Sequence, residues 1–301
     1  MPILLGPQTN RRDFLKTIAF SIAGTALAGG CARFPAARRK PSKEIRWALL
    51  ADTHVSLKAD EKYRNFAIDD NFKTAVAQVV ARAPQGMVIA GDVARLQGKL
   101  DDYRMFLQLV EPAASRMPVA MALGNHDDRN NFNKALGSLV PQKSLVAGKH
   151  VEVIETGGLR LIILDSLLFV EPTPGLLGKV QRTWLAKFLD ESERLPTFLF
   201  FHHDLGDGDG SLLDGDRLLK IVLPRTQVKA VFYGHTHNYA YDRTEGLHFV
   251  NLPAVGYNFS DKQPVGWIEA KLSAEGGEFT LRAFGSNVQD NGKTQSLAWR
   301  A

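Results

Sequence analysis

The chain has 301 residues, 45% of them hydrophobic and 23% charged, with a formal net charge of +5, an ordinary globular composition with enough apolar mass for one large core. Its basic excess does not make a nucleic-acid surface: residues 1–43 hold eight Lys/Arg and one Asp, leaving residues 44–301 with 29 basic against 31 acidic side chains, so no nucleic-acid polymer is expected as partner. Cys31 is the single cysteine, which excludes an intrachain disulfide.

In chain order, the first stretch reads as an address. RRDFLK at 11–16 precedes an uncharged run at 17–28 and the small residues LAGGCA; together they resemble a twin-arginine export signal. Twelve residues fall well short of the roughly 20 that span a bilayer, so no mature transmembrane helix is expected. Residues 1–31 fit two processing routes: a lipoprotein signal whose lipidated Cys31 anchors the protein to the membrane, or cleavage after ALA at 26–28 that leaves Cys31 a free thiol. Either route implies an exported protein, periplasmic or membrane-anchored. Residues 32–43, rich in Pro, Ala and basic side chains, read as a solvated tether. The folded domain is expected over 44–285, with 286–301 as a C-terminal tail.

Within that domain apolar strand-like runs alternate with helical periodicity. IRWALLAD is followed by a helix at 71–83, GMVIAGD by a helix at 100–116, and then PVAMALGN. HVEVIETGGLRLIILDS makes two strands about a Gly-Gly turn, a helix at 181–193 leads to PTFLFFHH, and a helix at 213–222 leads to VKAVFYGH; residues 247–284 are β-like. The expectation is a layered α/β fold whose later strands form a second sheet.

The chemistry collects where these runs end. Asp52 and His54, Asp92, then Asn125, His126 and Asp127, then His202 and His203, and finally His235 and His237 each follow an apolar run. Six of the eight histidines lie at such tips; His150 and His248 do not and read as surface or packing residues. In open α/β sheets ligands gather at the carboxyl ends of strands, so the five tips can meet in one crevice. In an extended segment, residues i and i+2 share a face, which would aim Asp52 with His54, and His235 with His237, at the same place or at two metals a few ångströms apart. Gly91, Gly124 and Gly234 precede these ligands, where a Cβ would intrude. Oxygen and imidazole donors without thiolate suit Mn, Fe or Zn, and the ligand count suits two ions better than one.

In the order DTH, GD, GNHD, HH and GHTH, these motifs resemble the calcineurin-like metallophosphoesterase superfamily, and residues 164–189 resemble its cyclic-nucleotide and glycerophosphodiester phosphodiesterase branch. The resemblance implies a four-layer αββα sandwich of two mixed sheets flanked by helices, with a dinuclear metal site at the strand ends. By it, Asp52, His54 and His237 would hold the first metal, Asp92 would bridge, and Asn125, His202 and His235 would hold the second. His126, held by Asp127, would act as acid or phosphate contact. Asp204 stands where the family usually has proline, which keeps His203 in view beside His202.

Taken singly, each motif has a plainer reading: GD as a turn, GNHD as a solvated loop, His203 as a strand-end histidine and Arg129 as a solvated helix-start residue. Jointly and in order they imply hydrolysis of a small phosphate ester, a diester foremost, by a hydroxide bridging two metal ions. A phosphomonoesterase on the same site and a non-catalytic exported metal-binding protein are the alternatives. No Walker-type glycine loop or cysteine nucleophile is available to support other phosphatase chemistry.

Overall fold

The computed structural model describes residues 44–58, 61–140 and 144–301. The expected twin-arginine signal, Cys31 and the expected tether lie outside the described residues. Among those described, no helix is long and apolar enough to cross a membrane.

The first half of the chain builds one side of the molecule. Strand β1 (Ile45–Leu50) is followed by the short hairpin β2 (Lys62–Tyr63) and β3 (Phe66–Ala67), then α1 (Ile68–Arg82), β4 (Gly86–Ala90), α2 (Leu100–Ala114), β5 (Val119–Ala122) and α3 (Arg129–Leu136). Strands β1, β4 and β5 run parallel, as right-handed βαβ connections require. The second sheet begins with β6 (Glu152–Thr156) and β7 (Leu159–Ile163), joined through Gly157 and Gly158 at φ 59° and 77°, the two positive angles that a tight hairpin turn needs. It continues through α4 (Gly178–Glu191), β8 (Thr197–Phe200), α5 (Gly215–Val222), β9 (Val228–Tyr233), β10 (Ala240–Thr244) and β11 (Leu247–Asn251). The chain then returns to the first sheet with β12 (Pro264–Leu272), β13 (Gly276–Ser286) and β14 (Thr294–Ala298).

Two six-stranded mixed sheets result, ordered β14-β13-β12-β1-β4-β5 and β10-β11-β9-β8-β7-β6, and they stack as the expected four-layer αββα sandwich. Period-two alternation within wholly buried strands makes the layering possible. Along β1, Ile45, Trp47 and Leu49 enter the core between the sheets, whereas Ala48 and Leu50 enter the core beneath α1 and α2 with Phe72 and Phe106. Along β8, Phe198 and Phe200 face the other sheet while Leu199 packs outward with Leu185 and Leu218.

Residues 286–301, expected as a tail, are part of the fold. Thr294–Ala298 pairs antiparallel with β13, Trp299 packs edge-on against Phe198, and Arg300 donates to the carbonyls of Val222, Leu223, Arg225 and Val228. The Arg300 guanidinium thus gathers carbonyls at the end of α5 and in the turn that leads to β9. TQSLA shows little apolar alternation because β14 is an edge strand, exposed except at Leu297.

Candidate active site

The parallel strands of both sheets point their carboxyl ends at one crevice, and the backbone there is bent to a common purpose. Asp52, His54, Asp92, His235 and His237 all have positive φ, between 49° and 72°. Left-handed geometry costs a non-glycine residue about 1–3 kcal/mol and persists only where the surroundings over-determine it. Here they do: Asp52 N donates to Gly91 O, His54 N to Asp92 O and Gly234 N to His202 O, at 2.9–3.1 Å. Asp52 and His54 do converge, together with His237, whereas His235 falls in the neighbouring group with Asp92 and His202; left-handed turns produce this rather than the two-residue repeat of an extended strand. The glycines do what was expected of them. A Cβ on Gly124 would lie 2.1 Å from Asp92 Oδ1, and one on Gly234 would lie 2.4 Å from Asp52 Oδ2.

Among the described residues three groups of ligand atoms converge: Asp52 with His54 and His237, His54 with Asp92 and His126, and Asp92 with His202 and His235. Asp92 belongs to two of them, with Oδ2 at 3.7 Å from His54 Nε2 and 3.3 Å from His202 Nε2. His237 Nε2 is 3.4 Å from Asp52 Oδ1. The imidazoles are oriented from behind. Nδ1 of His54, His202 and His237 faces the carbonyls of Arg95, Ala90 and Tyr257 at 3.3, 2.9 and 2.6 Å. A carbonyl only accepts, so each Nδ1 carries a proton and Nε2 is the nitrogen that presents a lone pair when the ring is neutral.

The residues fit a pair of cations. His54 Nε2 and His237 Nε2 lie 3.2 Å apart, both with lone pairs forward, and His202 Nε2 lies 3.1 Å from His235 Nδ1. Both side-chain atoms of buried Asn125 lack a hydrogen-bond partner. Facing lone pairs and an orphaned amide are costly in a protein interior unless a metal ion takes them up. The titration behaviour points the same way. Burial pushes His54 down to about 3 and His235 down to about 4, whereas His202, although burial opposes its charge, is raised to about 9 by Asp92 and Asp52. The two carboxylates thus set up a field that asks for positive charge between them.

The crevice opens as a cleft of about 320 Å³ lined by His54, Asp92, Asn125, His126, His235 and His237, with Thr173, Gly210, Tyr257 and Phe259. The last four carry no local motif. Tyr257 and Phe259 arrive because Val255 N and Gly256 N pair with the carbonyls of Ala51 and Asp52, and Phe259 stacks on His237 with centroids 4.4 Å apart.

Asp127 does not hold His126. The Asp127 carboxylate is fully buried and accepts from the backbone N–H of Val93, Ala94 and Gly124 and from the Tyr103 hydroxyl, so it ties the second and third tips together. His126 is oriented by the Leu96 carbonyl at Nδ1, 2.8 Å away, while its own N–H donates to Asp92 Oδ1 at 2.9 Å; its Nε2 lies 4.0 Å from Asp92 Oδ2. Between the two neighbouring histidines, His202 faces Asp92 whereas His203 turns its Nδ1 to Ser166 Oγ at 2.8 Å and joins no converging group among the described residues. Arg129 does start a helix, behind an Asp128 cap that accepts from Asn131 N. It is not solvated as expected: its guanidinium pairs with buried Asp165. His150 and His248 are buried packing residues, against Phe132 and Trp299.

Paired carboxylates, carbonyl-oriented imidazoles and an amide at the ends of two stacked sheets define the site of a dinuclear metal-dependent hydrolase. The chain belongs to the calcineurin-like phosphoesterase family, whose profile matches residues 45–239, and it is a metal-dependent phosphoesterase. It is 27% identical over 229 residues to a glycerophosphodiester phosphodiesterase of Enterobacter lignolyticus, covering 72% of this chain and 81% of that one. It is 26% identical over 249 residues to a 3',5'-cyclic adenosine monophosphate phosphodiesterase of Haemophilus influenzae, covering 76% and 86%. A dimetal phosphatase from Danio rerio shares the fold with a TM-score of 0.67 at 15% identity, over 87% of this chain and all of that one.

Proposed function

We propose that the protein is an exported phosphodiesterase that uses Mn, Fe or Zn ions. The observation that carries the diester reading is the cleft lining: among the described residues it contains no lysine or arginine. A diester brings one negative charge to the metals and a monoester dianion nearly two, and nothing but the metals and imidazoles is present to meet the second. The similarity to proteins named as phosphodiesterases supports the same choice.

Asp52, His54 and His237 would hold one ion and Asn125, His202 and His235 the other, with Asp92 shared. Bound there, the ions supply Lewis acidity toward the phosphoryl oxygens and an activated water at neutral pH. The chain's own residues do the rest. Asp52 and Asp92 hold the field, the backbone carbonyls of Ala90, Arg95 and Tyr257 keep three imidazoles in one tautomer, and Phe259 walls one side of the cleft. With Nδ1 tied to the Leu96 carbonyl, His126 has Nε2 left to place a proton on the departing oxygen. Metal-loaded protein is expected to cleave methyl nitrophenyl phosphate with a kcat/KM at least about tenfold above that for nitrophenyl phosphate, a difference of about 1.4 kcal/mol in transition-state stabilisation. The reverse order would make it a monoesterase.

Export rests on Arg11 and Arg12 in RRDFLK. Replacing both by lysine is expected to leave the protein in the cytoplasmic fraction of its host, and labelling with a lipid precursor, with Cys31→Ser as control, distinguishes an anchored from a free form. Export that survives the double replacement overturns the twin-arginine reading.

A further inference from the structure

In the ligand assignment proposed above, each ion draws on the tips of both sheets, so its affinity depends on what ties those tips together. For one ion the ties run through the ligands themselves. His235 N donates to the Asp52 carboxylate at 3.1 Å, and the Tyr257 carbonyl that orients His237 belongs to the segment whose Gly256 N pairs with the Asp52 carbonyl. For the other ion, His202 after β8 rests its Nδ1 on the Ala90 carbonyl of β4, but Asn125 after β5 has no such support. Neither side-chain atom of Asn125 has a hydrogen-bond partner, so its amide is aimed through its backbone and its packing. The Asn125 carbonyl accepts from Glu171 N at 2.7 Å, in the loop that leads from β7 to α4 and brings Thr173 to the cleft.

That loop is anchored by a residue just beyond Asn125 itself. Arg129, the first residue of α3, donates from Nε and Nη2 to the two carboxylate oxygens of Asp165 at 2.5 and 2.9 Å, and from Nη2 to the Leu167 carbonyl as well. Asp165 is fully buried at the start of the loop, and the next residue, Ser166, accepts from the backbone N–H groups of His202 and His203 at 3.2 and 3.4 Å. A bidentate guanidinium–carboxylate pair fixes orientation as well as distance. This one joins the helix that follows the Asn125 turn, on the side of the first sheet, to the loop of the second sheet that holds the Asn125 carbonyl and supports His202. Lys149 lies 3.8 Å from the same carboxylate and donates to the carbonyls of Asp165, Leu167 and Leu176, but it stands just before β6 and so makes no link between the sheets.

We propose that Arg129 is a positioning residue: through Asp165 and the loop at 165–177 it aims Asn125, and so sets the affinity for the ion that Asn125 takes up. The proposal rests on the two-ion reading above. It differs from a purely structural role in being one-sided. An ion pair that only stabilised the fold would affect both ions alike, whereas the ties of Asp52 to His235 N and to Gly256 N lie outside the loop and leave the ion of Asp52, His54 and His237 untouched.

The test uses the full chain, stripped of metal with a chelator and titrated with Mn²⁺ by calorimetry. Wild type is expected to bind two ions. The Arg129 side chain is 26% exposed, and in Arg129→Gln the Asp165 carboxylate keeps its bonds from His150 N and Leu167 N, so the variant is expected to fold. It should bind one ion about tenfold more weakly, the scale for groups that orient a metal ligand, and the other as wild type does. Turnover of an activated diester should return to the wild-type kcat once Mn²⁺ is saturating. Arg129→Lys keeps the charge without the fork; it should weaken the same ion to a smaller extent, and it carries the test alone if the glutamine variant does not fold. Asn125→Ala should weaken that ion too, and adding Arg129→Gln to it should cost nothing further, because the two changes act through one group. Equal weakening of both ions, unchanged affinity for both, or losses that add in the double variant overturn the proposal and leave the two-ion reading standing. Wild type that binds fewer than two ions overturns that reading and the proposal with it.

Discussion

Asp92→Ala is expected to leave the protein with little or no metal by elemental analysis, and to lower kcat/KM on an activated diester by at least about 10³-fold, or about 4 kcal/mol. The expectation follows from position. Asp92 is the carboxylate common to two converging groups, within 3.7 Å of imidazoles on each side, and its other oxygen fixes the backbone of His126. Removing it takes away the charge that both cations share and leaves buried imidazole lone pairs facing one another. His237→Ala, by contrast, removes a member of one converging group only, that of Asp52 and His54, and should cost mainly one ion. An Asp92→Ala protein that keeps two metals per chain would rule out the shared role.

The second large effect separates two roles for His126. A general acid matters in proportion to how badly the leaving group needs a proton, whereas a contact to phosphoryl oxygens matters for every ester alike. His126 lines the cleft with Nε2 free of any backbone tie, and it is partly exposed. His126→Ala is therefore expected to keep its metals and to lose little on a nitrophenyl diester, whose leaving group departs as an anion. On an alkyl or nucleoside diester it should lose about 100-fold or more. Equal losses on both, with metal content unchanged, would assign His126 to charge stabilisation instead. Loss of metal would place it among the ligands, a role that its inclusion with His54 and Asp92 makes worth measuring.

Some elements left little trace in the sequence for identifiable reasons. Helix α3 is RNNFNKAL, rich in residues of poor helix propensity, and it stands because Asp128 caps it and Phe132 and Leu136 are buried. Strand β14 is polar because one edge and most of its side chains face water. The hairpin of β2 and β3 has only two residues in each strand, too few for periodicity to register. The family resemblance implied that Asp127 holds His126, but the Asp127 carboxylate is taken by three backbone N–H groups and the Tyr103 hydroxyl.

What the amino-acid sequence determined by itself was local: which runs become strands, that nearly every one near the site ends in an acid, amide or imidazole, and that small residues stand where a Cβ would strike a ligand. Those properties need only hydrophobic pattern and side-chain chemistry, and both are written residue by residue. The tertiary structure decided what depends on distant partners. The carbonyls of Ala90, Arg95 and Tyr257 choose the tautomers of His202, His54 and His237, Ser166 draws His203 aside, and segments some 200 residues apart bring Tyr257 and Phe259 to the tip of β1. No short window of sequence encodes these, because each is a hydrogen bond or a packing contact whose second member is supplied only when the two sheets close on each other.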